Sequence, residues 1–308
     1  MLAPRSALCH ICRDQRNNVN ENFHPFYKHS GKFGIHGPLL AVLAAVVLGY
    51  PLGILYAYLV KWIPFIYLNF FITLGYGLAF GFLTVPLLRF AKVRNGIIAL
   101  LTGLAVGLCA AYLSWNGFLH AVAKDPPALI TPAQVSRMMK YLYENGSWGI
   151  GFSSSTPVTG ILLALVWLAE AGIIIGASAL LAFGTVASTP FSERDECWLD
   201  EEKKIDKLDA FVLPEQIAAF KAGNIAPLEQ ARPRVPASGS FARLTIRHSH
   251  KCEEFCTLSI ENVAVTPDKD GKLQEKREHL MTNLLVPKAM FDYLAQFEHA
   301  SAKHLPGI

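Results

Sequence analysis

Several signatures of catalysis are missing from this chain. It has no Gly-rich phosphate loop, no Gly-x-Ser-x-Gly elbow, no His-Glu-x-x-His and no pair of carboxylates at a catalytic spacing, so the sequence points away from an enzyme. Cysteine is scarce, six in 308 residues, too few for a disulfide scaffold. No apolar run precedes a cleavage site near the start, which argues against a secretory signal peptide, and Cys9 lacks the apolar stretch ahead of it that a lipoprotein would need. Excess charge is small: 28 Lys and Arg against 24 Asp and Glu give +4. In the C-terminal part basic residues are balanced by acidic ones, so nucleic acid is not indicated as a partner.

What the chain has instead is apolar residues, 52% of the total, with a positive mean hydropathy. That is too apolar for an ordinary soluble domain of this length. Residues 38–88 hold two long apolar runs joined by Lys61-Trp62-Ile63-Pro64, a break short enough for only a tight hairpin. About 20 apolar residues in a helix match the hydrocarbon thickness of a bilayer, and a helix satisfies its own backbone there. Four spans can be drawn, over residues 38–60, 63–88, 96–115 and 158–183. Pro51 and Pro86 are expected to kink the first two.

Each span contains a Gly-x-x-x-Gly pair: Gly49/Gly53, Gly77/Gly81, Gly103/Gly107 and Gly172/Gly176, with Ala99 and Ala111 extending the third. Small residues four apart let helix backbones approach closely. The pattern predicts a compact four-helix transmembrane bundle, with a stripe left over for a homo-oligomer. Lys and Arg set the orientation. Five precede the first span and Arg89, Lys92 and Arg94 follow the second, against Lys61 alone in the first hairpin and Lys124, Arg137 and Lys140 spread over the long loop before the fourth. The positive-inside rule then puts both termini in the cytoplasm and residues 116–157 outside. Within that loop Thr131-Pro132 starts a short amphipathic helix with Val135, Met138, Met139 and Leu142 on one face, closed by Asn145-Gly146. It lies at the membrane surface or caps the bundle through protein contacts alone.

Three segments follow: a basic tail over residues 1–35, the bundle over 36–187, and a cytoplasmic α+β domain over 188–308. The last opens on a charged run, 194–207, read as a solvated face. A short helix over 213–221 and a proline-rich linker over 226–240 come next. Alternating apolar residues predict strands at Phe241–Ile246, Leu258–Val265 and around Leu280–Leu285, with a turn at Asp268–Gly271. Met290, Leu294 and Phe297 predict a closing helix.

The phrases Phe26–Phe33 (FYKHSGKF), Trp62–Gly75 (WIPFIYLNFFITLG) and Trp167–Ala171 (WLAEA) resemble a family of uncharacterised bacterial four-span membrane proteins. That resemblance implies the bundle topology and a bacterial inner membrane, and it brings no activity. The family often carries a Cys-x-x-Cys after a Pro-aromatic pair just past the last span. Here Ser192 and Asp195 stand at those positions.

Two constellations carry chemistry. Glu170 lies within the fourth span, where a buried charge costs roughly 2.5–3.5 kcal/mol on insertion scales. Asn69 and Thr73, one turn apart in the second span, are its polar partners by position. Two readings stay open, a hydrogen bond locking helices together and an ion or proton path. The second constellation is cysteine. Cys9-x-x-Cys12 has zinc-knuckle spacing, and Cys252-x-x-x-Cys256 is a looser version after His248 and His250. In a reducing compartment thiols stay free, and Cys9, Cys12, Cys252 and Cys256 are expected to share one zinc ion, with His248 or His250 as rival ligands. Cys109 reads as a small hydrophobe. The sequence therefore favours a non-enzymatic inner-membrane protein anchoring a cytoplasmic binding or regulatory domain with an unidentified protein partner. The alternatives are a channel or transporter subunit using Glu170 and a thiol-dependent membrane enzyme.

Overall fold

The computed structural model describes residues 25–63, 65–123, 131–146, 157–234, 239–269 and 272–299, so Cys9 and Cys12 lie outside the described residues. The described chain divides into two compact units, one over residues 29–189 and one over residues 190–299 together with 25–28.

The first unit is built from α1 (His36–Trp62), α2 (Ile66–Phe90), α3 (Gly96–Val122), α4 (Pro132–Asn145) and α5 (Gly160–Ser188). All but α4 are long and apolar enough to cross a membrane. The helices run through Pro51 and Pro86. α3 continues past Trp115, where the sequence reading ends the third span, to Val122. Asn116 donates its amide to Tyr112 O one turn back, and Gly117 packs on α1, where an added Cβ would stand 2.0 Å from Gly53 O. Gly117 is thus a place where two helices touch.

The glycine pairs divide in use. A Cβ at Gly77 would come within 2.9 Å of Ile174 Cα, and one at Gly103 within 2.6 Å of Ala179 Cα. Ala110, rather than Ala111, continues the α3 stripe as a buried residue. Gly172 and Gly176 have nothing within 4 Å of an added Cβ. Tyr56, Tyr76, Phe80, Val106 and Ile174 form the bundle core, with Cys109 packed against it. α4 carries a capping box between Thr131 and Gln134, with Pro132 in its first turn, and buries Val135 and Leu142.

The second unit is a four-stranded antiparallel sheet in the order β3-β4-β5-β6: β3 (Glu201–Asp209), β4 (Ser240–His248), β5 (Phe255–Pro267) and β6 (Leu273–Pro287). Before it comes a small hairpin of β1 (Phe191–Ser192) and β2 (Cys197–Trp198). The charged run read as a solvated face is thus partly strand. Its Ile205, and Leu208 just past it, enter the core, while Lys204 and Glu202 pair on the surface. The sheet packs one face on α6 (Pro214–Lys221), the 3-10 turn Ala226–Gln230 and α7 (Phe291–Ala295), burying Ala242, Leu244, Ile246, Phe220, Leu228 and Leu294. Pro25–Tyr27 pair with the edge of β6 at Asn283–Leu285, so the last part of the N-terminal segment belongs to the sheet.

Candidate functional site

A polar layer crosses the bundle between α1, α2 and α5. Gly77 meets Ile174, and Thr73 and Glu170 each lie one turn earlier on their helices, which puts them level. The sequence pairs Glu170 with Asn69 and Thr73. The structure gives Thr73 to Tyr56, whose Oη lies 3.0 Å from Thr73 Oγ1. Tyr56 stacks on Tyr76 at 4.5 Å, and Tyr76 Oη donates to Ala110 O at 3.1 Å. Both tyrosines are buried. Glu170 stands within electrostatic reach of the Tyr56 phenol and, among the described residues, makes no hydrogen bond. Asn69 Oδ1 is buried without a hydrogen-bond partner. A carboxylate and an amide oxygen are therefore left open beside a hydroxyl pair. Tyr56 escapes sequence reading because one tyrosine inside an apolar run carries no signal of its neighbours across the bundle.

The cysteines are arranged differently from the expected zinc site. Cys252 forms a disulfide with Cys197, across 55 residues of chain, and so does not stand free beside Cys256. The two belong to separate apolar clusters, because β5 begins at Phe255 and its pleat sends Cys256 into the sheet core. Burial there pushes the Cys256 thiol up to about 11. The turn before β5 docks on the β1–β2 hairpin. Asp195 Oδ2 accepts from the backbone N–H groups of Glu253 and Glu254, each at 2.8 Å, and Ser192 Oγ donates to Glu254 Oε2 at 2.6 Å. With the disulfide reduced, the Cys197 and Cys252 sulfurs and the Asp195 carboxylate, all within 4.8 Å of one another, are the described residues able to hold a metal.

His248 and His250 both approach Glu201, His248 Nδ1 at 3.4 Å and His250 Nε2 at 3.0 Å from Oε2. Burial, with the ring packed on Phe291, lowers the His248 pKa below its ordinary value, with Glu201 opposing and Lys288, His250 and Lys203 reinforcing the shift. Among the described residues, neither imidazole is grouped with a cysteine sulfur as a ligand set.

The outer face of the sheet is charged. Arg243 donates through Nε and Nη2 to both oxygens of Asp206 at 2.8 Å and reaches Glu275 at 3.3 Å, with Glu261 and His279 beside it. These acids raise the Arg243 pKa further, and a bidentate pair of this kind holds a flat surface in fixed geometry.

No protein-family model, curated protein or solved structure matches this chain.

Proposed function

We propose that the chain is a non-enzymatic protein of a bacterial inner membrane, in which a four-span bundle anchors a cytoplasmic α+β domain that binds or regulates a protein partner. The observation that carries this reading is that the two units have separate cores, one of aromatic, aliphatic and alanine side chains between long apolar helices and one between a sheet and its helices. A bundle closed by Gly–backbone contacts serves as a fixed anchor. The ordered, charged sheet face around Arg243 offers a rigid polar surface for a partner. Orientation follows from Arg89, Lys92 and Arg94 at one end of the helices and Lys61 at the other. The open Gly172/Gly176 stripe supports self-association through α5. Labelling of a single cysteine at Ser240 by an impermeant thiol reagent tests the orientation. Protection in intact cells supports it, and labelling reverses it.

A second reading has its own observation. Glu170 and Asn69 Oδ1 are left without hydrogen bonds inside a span, where polar groups are retained at a cost. An ion or proton path along α2 and α5 would use them. Zinc held by Cys9, Cys12, Cys252 and Cys256 stays within the proposal only for protein in which Cys252 is reduced, and metal analysis with and without reductant tests it.

A further inference from the structure

An apolar groove opens on the first unit where α4 crosses α3 and α5. Its volume is about 490 Å³, and its lining comes from Trp115 on α3, Met139, Lys140 and Tyr143 on α4, and Trp167, Leu168 and Ala171 on α5. That volume falls within the range of roughly 300–1,000 Å³ found for ligand pockets. Trp115 and Trp167 meet edge to face at 5.2 Å and make its back wall. Each lies seven residues from the helix end at Val122 or Gly160 (122 − 115 and 167 − 160), about 10 Å below it. Ala171 extends the same α5 face one turn deeper, and Leu168 beside it is 69% exposed.

The lining has one cation. Lys140 sits at the rim on α4, exposed and without an ion pair among the described residues; Glu144, one turn on, does not pair with it. An apolar slot descending along a membrane span, walled by indoles at interfacial depth and topped by one exposed ammonium, matches one chemistry. The slot takes an acyl chain, the indoles sit at the level where Trp is enriched in membrane proteins, and the ammonium takes a phosphate.

We propose that this groove binds an anionic phospholipid, its acyl chain lying against Trp115, Trp167 and Ala171 and its headgroup phosphate paired with Lys140. A zwitterionic lipid can fill the slot but brings an ammonium of its own beside Lys140, so the site selects for net negative charge. The amphipathic helix α4 then serves to hold the lipid, with Val135 and Leu142 tying it to the bundle and Lys140 directed to the headgroup.

The test uses the full-length chain purified in detergent and offered equal amounts of phosphatidylglycerol and phosphatidylcholine, with retained lipid counted by native mass spectrometry. Wild type should retain phosphatidylglycerol in preference. Lys140→Glu should lower that retention about fivefold or more while leaving phosphatidylcholine unchanged. Ala171→Trp, which fills the slot, should lower retention of both. Lys140 is exposed, so its reversal spares the fold, which an unchanged melting temperature checks. Equal retention of phosphatidylglycerol by wild type and Lys140→Glu, or full retention by Ala171→Trp, would overturn the proposal.

Discussion

The Tyr56 hydroxyl holds Thr73 Oγ1 at 3.0 Å across the α1–α2 hairpin, and in doing so takes the group that stands level with Glu170. A buried hydrogen bond contributes about 0.5–1.5 kcal/mol, and more is lost when its removal leaves a partner unsatisfied. Thr73→Val or Tyr56→Phe should therefore destabilise the bundle by roughly 1–2 kcal/mol in denaturant titrations. Glu170→Gln should change stability far less, because the carboxylate makes no hydrogen bond among the described residues. Equal losses from all three would return Glu170 to a structural role.

The glycine pairs make a second contrast. Gly103→Leu drives a side chain into the α5 backbone at Ala179 and should cost at least about 1–3 kcal/mol or prevent the bundle from forming. At Gly172 an added Cβ meets nothing within 4 Å, so Gly172→Leu should leave the fold unchanged. If α5 mediates self-association, Gly172→Leu abolishes it, which analytical ultracentrifugation in detergent reads directly. A Gly172→Leu protein with wild-type sedimentation removes that stripe from the account.

Loss of the Cys197–Cys252 bond should cost the sheet domain about 2–4 kcal/mol, since the loop it closes is long. Cys252→Ser in thermal unfolding without reductant measures this. The same bond bears on orientation. Cytoplasmic thiols are kept reduced, so a domain on that side should show these two cysteines alkylated in lysates quenched with iodoacetamide, and bonded only after oxidation. Cys256, with its thiol pushed up to about 11, should stay unmodified in either case until the domain unfolds.

Acid should weaken the sheet domain. His248 has a lowered pKa in the folded state, so the unfolded chain takes up its proton first. The stability it contributes is complete above its ordinary value of 6.5 and is lost as pH falls through the folded value. Denaturation midpoints should drop between pH 7 and pH 5, and His248→Gln should flatten that part of the profile. A profile identical in the variant would assign the acid response to other groups.

The long helices were legible because a bilayer-length apolar run allows few alternatives. β4 and β5 were legible because Leu244, Ile246, Leu258 and Ile260 alternate, and part of β6 because of Leu280, Leu284 and Leu285. β3 was not, since Glu201, Glu202, Lys203 and Lys204 read as solvent-facing and its burial comes late, at Ile205 and Leu208. The third span misled in the other direction: drawn to Trp115, it runs on to Val122, with Gly117 seated against the Gly53 backbone. The cysteines were the least legible. Local spacing pairs Cys252 with Cys256, whereas the turn held by Asp195 and Ser192 carries Cys252 to Cys197, a relation that exists only once the hairpin and sheet have formed.

Ion flux through the purified protein decides most directly between an anchor and a path. Liposomes containing the full-length chain, loaded with a pH- or ion-sensitive dye and given a gradient, should leak no faster than liposomes without protein, and Glu170→Gln should leave that rate unchanged. Flux above the protein-free rate that Glu170→Gln abolishes would contradict the anchor and make the open carboxylate at Glu170 part of a conducting route.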